Sequence, residues 1–76
     1  MITIVRIKCD NDAFANDASS EVARILRTLA ERIDGHPHFS PGFSQPLRDA
    51  NGNSVGYLDV HDLEPVVGRL NNQKGA

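Results

Sequence analysis

An apolar stripe between Ser20 and Asp34 is the clearest pattern in the chain. Its members recur at the three- and four-residue intervals that place side chains on one face of an α-helix: Val22, Ile25, Leu26, Leu29, Ala30 and Ile33. The candidate N-caps before this stripe are Asp17, Ser19 and Ser20. Gly35 suits the left-handed residue that follows a helix. We therefore predict an α-helix over 20–34, with Leu26 and Leu29 in the core.

The segment Ile2–Cys9 is rich in β-branched residues and alternates with a period of two, which predicts a strand. One face of this strand is expected to meet the core, and it holds Thr3, Val5, Ile7 and Cys9. The opposite face is half apolar and half charged, with Ile2, Ile4, Arg6 and Lys8. Between this strand and the helix, residues 10–20 are rich in turn-forming side chains and predict a loop that Phe14 anchors to the core.

A β-hairpin is predicted over Leu47–Val60, because the dipeptide Asn51-Gly52 favours a type I′ turn. Its register is expected to direct Leu58 and Val60 inward. The segment before it, residues 36–46, contains three prolines and predicts an irregular connection.

The order β-α-β-β predicts an α+β fold, a three-stranded and mostly antiparallel sheet with the long helix on one face. A short C-terminal helix is also indicated by the spacing of Leu63, Val66, Val67 and Leu70. Residues 1–70 are expected to form a single domain, and residues 71–76 a flexible polar tail.

The amino-acid composition limits the possible cellular location and binding partners of the protein. With one cysteine in 76 residues, no intramolecular disulfide can form, which favours the reducing cytoplasm. No signal peptide or apolar run of roughly 20 residues is present, so we expect no membrane contact. The net charge of −2 gives no general attraction to nucleic acid, and direct nucleic-acid binding is not expected.

No motif for catalysis or for a cofactor occurs, so we predict a protein that is not an enzyme and has no cofactor, no metal and no catalytic residue. The soft metal ligands in the chain are Cys9, His36, His38 and His61, whose spacing is weak support for a zinc site. The run from Asp49 to Asn53 has alternating oxygen ligands like a calcium loop, but its glycine comes too early and no glutamate closes it. The hairpin interpretation is therefore preferred.

Two groups of residues are candidates for contact with a partner. A basic patch could be formed by Arg24, Arg27 and Arg32 of the helix together with Arg6, Lys8 and Arg48. From this set Arg24, Arg27 and Arg48 are predicted as partner-binding residues, although a solvated helix face is the simpler interpretation because acidic residues interleave with the arginines. Phe39 and Phe43 lie in the proline-rich loop, where they either anchor the loop or mark a contact surface.

One helix can cover only one face of the predicted sheet. The other face is expected to expose an apolar cluster of Ile2, Ile4, Val55 and Tyr57. Exposed clusters of this kind mark interaction sites, and chains of this size commonly gain stability by association, so we predict a homodimer through this face. The alternative is that the C-terminal helix folds back over the same face.

The segments Ile7–Phe14, Glu21–Arg27 and Leu47–Gly56 together resemble small uncharacterised proteins of phages and prophages. The resemblance covers most of the chain up to Gly56. Some small phage proteins of similar size and form, anti-CRISPR proteins among them, inhibit host defence complexes by occupying a binding surface. The resemblance thus implies a protein-binding inhibitor of a bacterial defence or nuclease complex such as CRISPR-Cas. The alternative function is a small nucleic-acid-associated regulator that uses the arginines of the helix.

Overall fold

The protein has an α+β fold, a three-stranded antiparallel sheet with one helix. The structure is a computed structural model and describes residues 1–63. In chain order the elements are strand β1 (Ile2–Ile7), a 3₁₀ turn (Asp12–Phe14), helix α1 (Ala18–Ile33), strand β2 (Ser44–Arg48) and strand β3 (Ser54–His61). The strand order is β1-β3-β2, so β3 is central and both other strands are edges. The predicted C-terminal helix and tail lie outside the described residues.

Helix α1 begins two residues earlier than its predicted start. Asp17 is the N-cap, and its carboxylate accepts hydrogen bonds from the backbone N–H and the hydroxyl of Ser20, which hold the pKa of Asp17 below its usual range. Gly35 has a φ of 71°, as predicted for the residue that follows the helix. Ile25 and Leu29 are buried in the core. The prediction for Leu26 is wrong, because its side chain is 43% exposed.

The buried stripe of α1 is therefore narrower than the sequence pattern suggests. Val22 and Ile33 pack at its borders, whereas Ala30 is exposed. Glu21, which the sequence places among polar residues, is buried instead. The helix is thus rotated so that one edge of its core-facing side is polar.

The helix side of β1 is less covered than predicted. Val5 is paired with the buried Leu58, so both side chains lie on the helix side of the sheet, yet Val5 is 40% exposed. The reason is that β1 is an edge strand, while α1 packs closest to β2 and to the 3₁₀ turn. Thr3 is likewise exposed, and Ile7 packs against the core. The strand ends at Ile7, so the predicted core position of Cys9 is wrong and this thiol is exposed.

The hairpin is present, but its turn differs from the predicted type I′. The backbone N–H of Gly52 donates to the carbonyl of Asp49, and the N–H of Asp49 donates to the carbonyl of Asn53. The turn is therefore centred on Ala50 and Asn51, with Gly52 as a third loop residue at a φ of 85°. This is the arrangement of a three-residue hairpin loop, in which a turn is followed by a left-handed glycine.

Strand β2 includes three residues of the segment that the prolines predicted to be irregular. Pro46 lies inside β2, opposite Tyr57 of β3. A proline is tolerated here because β2 is an edge strand, whose outward N–H groups need no partner strand. Residues 36–43 remain a connection without helix or strand, as predicted.

The core lies between α1 and the sheet. Its buried apolar side chains are Phe14, Ile25, Leu29, Leu47, Val55, Leu58 and Val60. The inward direction of Leu58 and Val60 and the anchoring role of Phe14 are confirmed. No helix in the described part of the chain is long and apolar enough to cross a membrane.

Candidate functional site

A polar cluster closes one end of the core, where the start of α1 meets the hairpin loop. The carboxylate of Glu21 forms a two-point hydrogen-bonded ion pair with Arg24, with distances of 3.0 Å to Nε and 2.9 Å to Nη2. Oε2 of Glu21 also accepts from the backbone N–H of Ala50 at 2.8 Å. The hydrogen bonds from Arg24 are the main reason that the pKa of Glu21 lies below its usual range. A buried carboxylate with a paired charge and a backbone donor is fully satisfied.

Asp49 forms the second half of this cluster and is 4% exposed. Oδ1 accepts from the backbone N–H groups of Asn51 and Asn53, both at 2.9 Å. Oδ2 accepts from Nδ2 of Asn11 at 3.0 Å and from Nδ2 of Asn53 at 3.2 Å. The hydrogen bond from Asn11 contributes most to lowering the pKa of Asp49. Since backbone and amide N–H groups point at the carboxylate, the run that resembled a calcium loop is organised as a turn and not as a cation site.

A groove of about 180 Å³ begins at this cluster and runs between α1 and β2. Its apolar lining includes the core residues Ile25, Leu29 and Leu47. Three arginines line the same groove, namely Arg24, Arg32 and Arg48. We call this feature the arginine groove. Apolar lining combined with a few polar groups is typical of binding sites.

The three arginines of the groove differ in their hydrogen-bond and charge partners. At the hairpin end, Nη2 of Arg24 donates to the backbone carbonyl of Arg48 at 3.2 Å, and Nη1 of Arg48 donates to the carbonyl of Gly52 at 3.3 Å. Arg24 is balanced by Glu21. Arg32 lies eight residues after Arg24, which is about 12 Å along the helix axis. Within residues 1–63, neither Arg32 nor Arg48 has a carboxylate within 4.0 Å.

The structure brings together two of the three arginines predicted as partner-binding residues. Arg24 and Arg48 line the arginine groove, whereas Arg27 is exposed and does not line it. Arg32 takes its place. The sequence carried a signal for this residue, because Arg24, Thr28 and Arg32 follow each other at four-residue intervals and so form one ridge of the helix.

Phe39 and Phe43 are half-buried and pack against the core. Their ring centroids are 5.5 Å apart, and the ring of His36 lies 4.7 Å from that of Phe43. This packing explains how the proline-rich connection is attached to the domain. Of the two interpretations, anchoring is the one with observed contacts, and contact with a partner stays a prediction.

The sheet face opposite α1, which we call the open face, carries three of the four residues predicted for self-association. Ile2, Ile4 and Tyr57 lie on it, and Tyr57 is 50% exposed. The placement of Val55 there is wrong, because this side chain is 6% exposed in the core. Leu47 pairs with Gly56 and Arg48 with Ser54, so Val55 is left without an opposite residue. This β-bulge allows Val55 to reach the core side of the sheet.

The soft metal ligands do not converge in the part of the chain that the structure describes. No group of three or more His, Cys, Asp or Glu side chains is placed to hold a metal ion within residues 1–63. His36 and His38 are close, with ring centroids 6.0 Å apart.

Comparison with protein-family models, with curated proteins and with solved structures gives no match. The case for a function therefore rests on the arginine groove, the open face and the residues that form them.

Proposed function

We propose that this chain is a non-enzymatic protein-binding module whose contact surface is the arginine groove. The observation that carries the proposal is the combination of an apolar lining with Arg32 and Arg48, two arginines that form no ion pair within residues 1–63. Arginine is enriched in protein interfaces, because its planar guanidinium group forms several directed hydrogen bonds while its stem packs on apolar surface.

The charge of the groove favours an acidic partner segment. Glu21 balances Arg24, and the carboxylate of Asp49 lines the hairpin end of the groove, so the unbalanced positive charge lies toward Arg32. Arg48 presents its backbone carbonyl to Arg24, and Nη1 of its guanidinium donates to the carbonyl of Gly52, so both arginines are held by the hairpin. Glu21 and Asp49 hold Arg24 and the hairpin loop in place, which reduces the ordering cost of binding at this end of the groove.

The class of partner comes from the resemblance to small phage proteins. We propose that the chain is phage-encoded and inhibits a bacterial defence or nuclease complex in the cytoplasm of the host cell, as anti-CRISPR proteins do. In this proposal an acidic segment of the complex binds in the arginine groove, and the bound chain blocks the activity of the complex.

The test is co-purification of a tagged chain from a bacterial lysate, followed by binding measurements on the captured protein with three single variants. We expect Arg32→Ala and Arg48→Ala each to weaken binding by about 10-fold or more, as for interface arginines in desolvated positions. Arg27→Ala is the matched control, because it removes an arginine of the same helix that does not line the groove.

Equal binding by all three folded variants would reject the groove and would direct attention to the loop of Phe39 and Phe43. The salt dependence of binding separates this proposal from the nucleic-acid alternative. Capture of bulk nucleic acid with an affinity that falls steeply with added salt would favour a nucleic-acid-associated regulator.

A further inference from the structure

The open face carries apolar side chains together with the charged side chains of Arg6 and Asp59. In the register of the sheet, Arg6 lies opposite Tyr57, and Asp59 lies opposite Ile4. Leu58 faces the core, so its neighbours Tyr57 and Asp59 face the opposite way, and their paired residues Arg6 and Ile4 share this open face. Arg6 and Asp59 are therefore diagonal neighbours on adjacent strands, with Cα atoms about 7–8 Å apart.

Neither charge is matched within the described part of the chain. The ion pairs found in residues 1–63 are Lys8–Asp10 and Arg24–Glu21. Asp59 is half-buried, and Ile4 beside it is exposed only in part. A half-buried carboxylate beside apolar side chains is stabilised when an opposite charge covers it.

We propose that the open face binds the open face of a second copy of this chain. A two-fold axis that lies between the sheets and passes midway between Arg6 and Asp59 places each Arg6 over the Asp59 of the other copy. The two ion pairs form reciprocally, as an isologous interface requires. The same operation brings Tyr57 and Ile4 of both copies into one apolar contact.

Charge complementarity is the reason to choose a second copy as the occupant. Because Arg6 and Asp59 lie side by side, this part of the open face is complementary to itself under a two-fold rotation, whereas a strongly acidic or strongly basic partner would leave one of the two unmatched. A 76-residue chain that cannot form an internal disulfide also gains stability by burying such a face. Arg6 and Asp59 do not line the arginine groove, so this interface can be tested separately from it.

The test is charge reversal with complementation, read out as molar mass by light scattering over a concentration series up to high micromolar. The wild-type chain should be a dimer. In Arg6→Asp alone, two carboxylates face each other across the interface, and in Asp59→Arg alone, two guanidinium groups do. Each variant should remain folded and become monomeric, with a dissociation constant raised about 100-fold or more, because facing like charges oppose association.

An equimolar mixture of the two variants should again form dimers, each with one copy of either kind. In the mixed dimer, one copy carries acidic side chains at positions 6 and 59, and the other copy carries basic side chains at both. Each acidic side chain therefore faces a basic one across the interface. Arg27→Asp, on an exposed position of α1, is the matched control and should stay dimeric.

Three results would overturn the proposal: a wild-type chain that is monomeric throughout, a dimer that persists in both charge reversals, or folded single variants that fail to associate when mixed. The first is the result expected if the C-terminal segment of the same chain covered this face. Because the measured quantity is the mass of the chain alone, the result does not depend on the partner of the arginine groove.

Discussion

At the scale of single residues, two leucines on the same helix differ in what they contribute. Leu29 is 4% exposed in the core, and Leu26 is 43% exposed about one helical turn earlier. Leu29→Ala should lower the free energy of unfolding by about 2–5 kcal/mol, because it leaves a cavity. Leu26→Ala should lower it by less than about 1 kcal/mol, as is usual for exposed positions. Urea unfolding of both variants measures the difference, and equal losses would contradict the orientation of α1.

A glycine at position 56 is required for stability because β1 and β3 approach each other closely there. A Cβ atom at Gly56 would overlap the backbone carbonyl oxygen of Arg6 and would lie 2.8 Å from its carbonyl carbon. The obstacle is backbone and not the flexible end of a side chain, so β1 or β3 would have to move.

We therefore expect Gly56→Ala to destabilise the protein by about 1–3 kcal/mol, in the range of an overpacked core. The thermal midpoint should fall accordingly. Ser54→Ala, at the exposed start of the same strand, is the control and should change the midpoint little. If Gly56→Ala is as stable as the wild type, β1 and β3 are farther apart at this point.

At the scale of elements, the polar cluster joins the loop before α1, the first turns of α1 and the hairpin loop. Asn11 and Asp49 connect the first and last of these, and Glu21 connects the helix to the backbone of Ala50. These contacts link segments that are far apart in sequence, so they fix the position of the hairpin loop against the helix.

The cluster makes the stability dependent on acid pH. The pKa values of Glu21 and Asp49 are lowered in the folded state, chiefly by Arg24 and by Asn11, so the unfolded chain takes up protons at higher pH than the folded chain does. The free energy of unfolding is therefore expected to be highest near neutral pH. It should fall as the pH decreases below the ordinary carboxyl range of roughly 4.

Urea unfolding between neutral pH and pH of about 3 tests this dependence. Glu21→Gln and Asp49→Asn should each lower stability at neutral pH and flatten the decline with acid. Glu31→Gln, which removes an exposed carboxylate of the same helix, should leave the profile as in the wild type. An unchanged slope in both cluster variants would show that other groups cause the acid sensitivity.

The elements were predictable from the sequence, but their contacts at the polar cluster were not. The spacing of Ile25 and Leu29 fixes the buried side of a helix, and the alternation of Leu58 and Val60 fixes that of a strand. Glu21 is buried against the backbone of Ala50, and Asp49 is buried against Asn11. Because both partners are distant in sequence, no local pattern predicts this burial. The exposure of Val5 likewise depends on which strand becomes an edge of the sheet.

The residues of the arginine groove were likewise only partly predictable from the sequence. That arginines of the helix are candidate contacts could be predicted, since Arg24 and Arg48 do line the groove. Whether Arg27 or Arg32 lines the groove depends on how α1 is rotated against β2, which the sequence pattern does not show. Val55 was assigned to the wrong face because the β-bulge opposite Arg48 shifts the alternation by one residue.

At the scale of the whole molecule, one core and one polar cluster share the same elements. Leu29 and Glu21 both lie on α1, and Leu47 and Asp49 lie within and directly after β2. Both sets of contacts therefore hold the helix against the sheet. Neither the sheet nor the helix has a second apolar layer in residues 1–63 that would hold it in place alone.

We therefore expect the chain to unfold in one cooperative step. Far-ultraviolet circular dichroism follows α1, and the fluorescence of Tyr57, the single tyrosine in a chain without tryptophan, follows the sheet. The two signals should give the same urea midpoint at a fixed, low protein concentration, which limits the effect of self-association. If the helix signal is lost at lower urea than the tyrosine signal, the sheet survives without α1, and the shared core would not be what holds the two layers together.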